Sequence, residues 1–410
     1  MADPRLTTRI VHSNRQFGVE HGGIHKPIHT SVQYGFERAE DLIGVFQGTL
    51  KNHFNYARQG TPTTAALEAL ITDLEQGRGS ICFATGMAAL SAVFLTLLRA
   101  GDHVVSSQHV FGNTNSLFGT LGDLGIGVSK VDAGSPAAVQ AALRPNTRMV
   151  FVETIANPGT QIPDLVGIGT LCRVRALLYI VDNTVTSPAL FLPRGVGAGL
   201  VVNSLTKTIA GHGAALGGAV TDTGEFDWSG YPNIFPNYRQ SDPAGWGLQQ
   251  IRKKGLRDMG GSLSPEQAHQ IGLGAETMTL RVAQSSATAL TLARFLQAHP
   301  KVAATHYPML ETHPQHARAR QLFGAGSWLM SFELRDPDSM LAVLNRMRLA
   351  IKATGMGDTR TLVLPAAQTI YWEMGAAARA QRGITEGLIR VSVGLEDSQD
   401  LIADFEQALG

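Results

Sequence analysis

A chain of 410 residues, 44% hydrophobic and only 16% charged, can bury a large core; this excludes a disordered protein and favours two packed domains over one. The formal charge of +1 leaves no basic footprint for nucleic acid and no polybasic patch for a membrane surface. A small anionic ligand must therefore be held by a local site, not by the field of the whole molecule. Cys82 and Cys172 both lie in or beside apolar runs and read as buried thiols of a reducing compartment. No apolar stretch approaches the ~20 residues that span a bilayer. The opening Met1-Ala2-Asp3-Pro4-Arg5 lacks the layout of a signal peptide, so the expected location is the cytoplasm.

Residues 1–60 are rich in Gly, His and Asn and poorly periodic, and are expected to form an extended arm. His12, His21, His25 and His29 fall there without tight ligand spacing, so no metal site is expected. Thr61-Pro62 reads as an N-cap followed by the first helical residue. Leu67, Leu70, Ile71 and Leu74 then recur at helical spacing up to Gly77. Strand-like runs follow at 80–84, 103–107, 148–153, 177–182, 200–204 and 217–221, separated by helical patterns such as 87–98. Such alternation predicts an α/β fold with a mainly parallel sheet covered on both faces. From 222 to 261 Gly, Pro and aromatic residues cluster, which predicts a long loop or insertion. A smaller α+β domain is expected beyond it, with a long helix at 276–298 and strands at 328–334 and 388–393.

Three peptides carry chemistry. Ser204-Leu205-Thr206-Lys207 directly follows a buried strand; burial there would lower the lysine's pKa and free its amine to attack an aldehyde. Ser204 and Thr206 supply hydroxyl donors of the kind a phosphate needs. Asp182, in Val181-Asp182-Asn183-Thr184, also ends a strand, at the sheet edge where α/β proteins bind ligands. A carboxylate placed there can keep a pyridinium nitrogen protonated. Thr85-Gly86-Met87-Ala88-Ala89 turns a strand into a helix, whose N-terminal N–H groups attract phosphate. Each peptide alone has an ordinary structural reading: a surface lysine, a turn aspartate, a glycine turn. Their joint occurrence is the signal.

Asp182-Asn183-Thr184, Ser187-Pro188, Pro193 and Asn203-Ser204-Leu205-Thr206-Lys207 through Gly211-His212-Gly213 resemble the lysine-bearing signature of the Cys/Met metabolism pyridoxal-phosphate family. That family contains cystathionine γ-synthase, cystathionine γ- and β-lyases, methionine γ-lyase and the O-acylhomoserine sulfhydrylases. The likeness extends to Tyr56-Ala57-Arg58, Thr85-Gly86-Met87-Ala88-Ala89, Glu153 to Asn157-Pro158, and the stretch from Gly387 through Arg390 to Gly394. It implies the fold of type I pyridoxal-phosphate transferases, aspartate aminotransferase-like. Residues 1–60 would contact a neighbouring subunit, 61–261 would bind pyridoxal 5′-phosphate, and 262–410 would form the C-terminal domain.

The resemblance also implies roles. Lys207 would bond the cofactor's aldehyde and shuttle protons, and Asp182 would pair with the pyridine nitrogen. Gly86, Met87, Ser204 and Thr206 would hold the phosphate. Tyr56 and Arg58 would reach the phosphate of a neighbouring subunit, with Tyr56 also a catalytic candidate, implying an active dimer usually paired into a homotetramer. Arg390 would clamp the substrate α-carboxylate, and Asn157 would lie near it and the cofactor's phenolic oxygen. His212 is expected to be structural.

Departures from the family pattern bear on the reaction. Phe111 stands where most members carry a tyrosine; stacking on the cofactor survives, the hydroxyl does not. The O-succinylhomoserine sulfhydrylases are similar to this chain at that point, whereas the insertion around Phe226-Asp227-Trp228 resembles the O-acetylhomoserine sulfhydrylases. Gly355 replaces a polar residue of the carboxylate-binding loop, leaving a main-chain contact to substrate, and Ile370 follows Thr369 where a histidine is frequent. A departing thiolate, from a thiol of pKa about 8.5, benefits from an acid; a carboxylate of pKa about 4 leaves unassisted. The expectation is γ-replacement on an O-acylhomoserine by sulfide or a thiol. The alternatives are a γ-lyase acting on methionine or cystathionine and, behind it, a non-catalytic cofactor binder.

Overall fold

A computed structural model describes residues 4–14, 20–240 and 242–410. Residues 1–3 of the N-terminal peptide, 15–19 of the arm and Ser241 of the expected loop lie outside the described residues. Seven strands form the first sheet: β1 (Gly79–Phe83), β2 (His103–Ser107), β3 (Gly127–Val131), β4 (Thr147–Glu153), β5 (Leu178–Asp182), β6 (Leu200–Asn203) and β7 (Gly218–Asp222). Their order is β1-β7-β6-β5-β4-β2-β3, and only β7 runs antiparallel to its neighbours. The fold is α/β as expected.

The apolar runs are explained by the two-residue period of a strand. Phe151 and Ile180 enter one core, while Val150, Val152 and Val181 enter the core on the opposite face. A strand buried on both sides has no polar face, so its sequence reads as continuous. β3 escaped the sequence reading because it is the edge strand and only partly buried, with Lys130 exposed.

The helix Pro62–Leu74 begins as expected: Thr61 accepts from the Thr64 amide at 3.1 Å, and the Thr64 hydroxyl accepts from the Thr61 amide at 2.8 Å. The stretch 222–261 is more ordered than expected. It contains a helix, Trp246–Gln250, that widens into a π-helical segment, Ile251–Arg257. Trp228 is fully buried and donates to Asp222 at 2.9 Å, and Tyr231 donates to the Leu97 carbonyl at 2.8 Å. Those aromatic side chains belong to a core, not to a solvated loop.

The second sheet has β8 (Val302–His306), β9 (Leu329–Leu334), β10 (Ile351–Lys352), β11 (Leu362–Pro365) and β12 (Leu388–Ser392), in the order β10-β11-β12-β9-β8. Leu263, Ile271 and Val282 still pack with Leu67 and Ile71, and the C-terminal core takes over from Ala289 within the helix Met278–Ala298. Cys82 and Cys172 are buried free thiols. Among the described residues no helix is long and apolar enough to cross a membrane.

Candidate active site

The site begins with strand register. Glu153 ends β4 and Asp182 ends β5, and the two are paired residues of neighbouring parallel strands. Paired residues point to the same side, so two carboxyls stand next to each other at the carboxyl edge of the sheet. Burial and then repulsion from Asp182 hold the Glu153 carboxyl well above its usual range. Burial also raises Asp182, against hydrogen bonds from Thr184, whose amide donates at 2.9 Å. The Phe111 amide donates to Glu153 at 2.5 Å, tying the aromatic residue to the carboxylate pair. A cavity of about 260 Å³ opens above them.

Lys207 reaches the same cavity from the turn after β6. The Ser204 amide donates to the Thr184 hydroxyl at 2.8 Å, which fastens this turn to the end of β5. Arg281 donates to the carbonyls of Thr208 and Ile209 and holds the far side of the turn. Gly357, at φ +73°, lies so close that an added Cβ would sit 2.7 Å from the Thr208 nitrogen. Burial, then the charge of Arg390, lowers the Lys207 pKa. A lysine with its pKa lowered keeps more of its amine in the nucleophilic neutral form.

The helix Gly86–Leu97 starts at the cavity wall. Thr85 caps it by accepting from Ala88 at 3.0 Å, and the Gly86 and Met87 amides belong to the first turn, which has no intrahelical acceptors. A Cβ on Gly86 would meet the Ser204 Cβ at 3.0 Å, so glycine permits the close approach of the two elements. Thr206 exchanges hydrogen bonds with Gly217, accepting at 3.0 Å and donating at 3.2 Å. Together these groups form a cradle for an anion at a helix N-terminus.

Arg390 and Asn157 differ from the rest in being unfinished. Arg390, on β12, is 1% exposed, and its Nη2 donates to the carbonyls of Thr354 at 3.0 Å and Gly355 at 2.7 Å. Its Nε has no partner, and no carboxylate among the described residues pairs with it. Burial lowers its pKa to about 10, opposed by Tyr371. Asn157 lines the cavity, buried, with neither side-chain atom hydrogen-bonded. Such groups are costly unless a ligand completes them.

Lys207, Asp182, Gly86, Met87, Ser204, Thr206, Phe111 and Asn157 therefore meet in one cavity. Neither Gly355 nor Arg390 lines this cavity; the Gly355 carbonyl accepts from the Arg390 guanidinium. Tyr56 and Arg58 are not brought to this cavity; both are exposed, the guanidinium 5.3 Å over the tyrosine ring and bonded to the Arg257 carbonyl. His212 bonds the Ala210 carbonyl at 2.7 Å. Sequence reasoning gave no role to Glu153 or Thr184, although both stand in the quoted motifs. It also missed Leu216 and Met356, which enter from loops without a local pattern, and gave no role to Asn113, in the first turn of the helix Gly112–Asp123.

The donors fit pyridoxal phosphate. The amine suits its aldehyde, the buried carboxylate its ring nitrogen, the cradle its phosphate, and the orphaned Asn157 amide an oxygen acceptor and donor pair.

Comparison with known proteins agrees. Residues 7–410 match the Cys/Met metabolism PLP-dependent enzyme family. A homocysteine synthase of Schizosaccharomyces pombe is 35% identical over 399 residues, covering 93% of each chain. An L-methionine gamma-lyase of Pseudomonas deceptionensis is 34% identical, covering 98% of this chain and 97% of its own. A Campylobacter jejuni crystal structure carrying N′-pyridoxyl-lysine-5′-monophosphate superimposes with a TM-score of 0.94 at 29% identity, covering 99% of this chain and all of the other. The chain thus belongs to the Cys/Met metabolism PLP-dependent enzyme family, and pyridoxal 5′-phosphate is its cofactor.

Proposed function

We propose that the enzyme performs γ-replacement: an O-acylhomoserine and sulfide or a thiol give homocysteine or a thioether plus the free carboxylic acid. The observation that carries this reading is the wall at Phe111: among the described residues of the chain itself neither a phenol nor a thiol lines the cavity, so a phenol would have to come from Tyr56 of a second copy. A leaving carboxylate needs no acid there, whereas a leaving thiolate would gain from one.

The residues divide the work. Bound pyridoxal phosphate supplies an electron sink for the amino acid's α-carbon. Asp182 keeps the pyridine nitrogen protonated, and the helix start with Ser204 and Thr206 holds the phosphate. Arg390 and Asn157 orient the substrate carboxylate so that its α-hydrogen faces Lys207. The Lys207 Nζ removes that proton and passes on the one from Cβ; the γ-carboxylate departs, the sulfur nucleophile bonds to Cγ, and both protons are returned.

The second reading is γ-elimination, favoured by the methionine gamma-lyase relatives. Incubation with O-acetyl- or O-succinylhomoserine plus sulfide should yield homocysteine. If both esters are inert while methionine or cystathionine releases 2-oxobutyrate, the lyase reading replaces ours.

The active unit in this reading is a dimer, paired into a homotetramer. Tyr56 and Arg58 are exposed and do not line their own cavity, and the arm exposes Ile24 (79%) and Phe46 (74%), apolar surface suited to a second copy. Light scattering on the purified protein should return four chains. Buried free thiols suit the reducing cytoplasm.

A further inference from the structure

Asn157 presents two unpartnered polar atoms to the cavity, so the direction of its amide is set by its backbone alone. That backbone is held from across the domain boundary. The Tyr371 hydroxyl donates to the Asn157 carbonyl at 2.5 Å, and the Ser331 hydroxyl donates to the next carbonyl, Pro158, at 2.8 Å. Both donors come from the C-terminal domain. Ser331 is the direct cross-strand partner of Arg390. The Tyr371 ring is 2% exposed among Leu364, Ala366, Ile384 and Leu388. Its other edge lies against Gly112, where an added Cβ would be 3.7 Å from the ring and 3.2 Å from the Ile370 carbonyl. This places the tyrosine beside the residue that follows Phe111.

We propose that Tyr371 is a positioning residue: with Ser331 it fixes the Asn157–Pro158 carbonyls to the sheet that carries Arg390, so the two groups that receive the substrate carboxylate stay in register. The inference rests on the assignment of Asn157 and Arg390 to that carboxylate. The electrostatics are consistent. Burial, with Glu153 beside it, raises the Tyr371 pKa, while Arg390 and Arg382 oppose this, so the hydroxyl stays a neutral donor near both site charges. Without it, the Asn157 carbonyl loses its partner and the amide loses a fixed direction.

The test is Tyr371→Phe, which keeps the ring, with Ser331→Ala as the second variant should the first fold poorly. Loss of one such bond should raise KM for the acylhomoserine roughly 3–10-fold and change kcat less than about twofold. Cofactor-stripped Tyr371→Phe should also bind pyridoxal 5′-phosphate a few-fold more weakly, followed by quenching of protein fluorescence, a readout independent of turnover. A variant with a lower melting temperature but wild-type KM and cofactor affinity overturns the proposal and leaves a packing role. Arg390→Lys separates the two levels. If it leaves KM unchanged, the carboxylate assignment itself is wrong; if it raises KM while Tyr371→Phe does not, only the positioning role fails.

Discussion

The cavity is lined mainly at the carboxyl ends of the parallel strands, while Met356 enters from the C-terminal domain, where Arg390 of β12 is bonded to the neighbouring Thr354 and Gly355 carbonyls; the two regions treat charge differently. At the strand edge a web of internal hydrogen bonds braces the strand ends, although Asn157, one Glu75 oxygen and the Asn203 side-chain oxygen have no partner. Beneath Asp182 and Ser204, the buried Glu75 carboxylate accepts from Asn183 at 2.9 Å and Asn203 at 2.6 Å. Thr186 donates to Asn183 at 2.5 Å and bonds Thr154, the residue after Glu153, at 2.8 Å. The ends of β4, β5 and β6 are thus laced together from below. In the other region Arg390 has carbonyls for company but no counter-charge. The first region is braced from below by its own hydrogen bonds; in the second a buried guanidinium keeps a donor without a partner.

The contrast can be broken at its strongest point. Lys207→Ala should remove the covalently held cofactor, abolish the visible absorption band and lower activity by roughly 10³-fold or more. A retained band would mean that another lysine carries the coenzyme.

Next in size is Arg390→Ala. Removing the counter-charge for a buried carboxylate costs about 2–5 kcal/mol, so KM should rise by roughly 30-fold or more. The cofactor-free protein should melt no lower than wild type, because an uncompensated buried charge has been deleted. A large drop in melting temperature would show that Arg390 is paired internally after all.

Glu75 sharpens the comparison through pH. Burial raises its pKa to about 7 from 4.5, in spite of the two asparagine donors. A carboxyl raised on folding is protonated in both states below 4.5 and ionised in both above 7. Its contribution therefore falls as pH rises through that window, by on the order of 3 kcal/mol. Glu75→Gln should flatten this part of the stability curve in chemical unfolding at pH 4.5 to 8, and an unchanged curve would refute it. The smallest expected effect lies away from both regions: Thr61→Ala loses a helix cap and about 1 kcal/mol, with KM unchanged.

The two regions were unequally visible in the sequence. Lys207, Asp182 and Gly86 each stand where a strand ends, and strand ends are marked by a local change in pattern. The C-terminal region is assembled from distant parts: the bond from Tyr371 to Asn157 spans 214 residues, and no periodicity reports it. Arg390 was found through its motif, but its support by Thr354 and Gly355 was not. The stretch 222–261 misled for a related reason. Its Gly, Pro and aromatic residues match loop composition, yet Trp228 and Tyr231 find buried partners on β7 and the helix Gly86–Leu97. Composition reports what a segment contains, not what it lies against.

The unpartnered amide of Asn157 and the unpartnered Nε of Arg390 have a consequence for the chain's survival. Because these groups gain their partners only from small molecules, the empty protein is the less stable form, and saturation stabilises it by mass action. At a hundredfold excess over the dissociation constant, that is about 2.7 kcal/mol. In a cell starved of vitamin B6, newly made copies would spend longer partly unfolded and be degraded sooner, so coenzyme supply would govern the abundance of the enzyme as well as its activity.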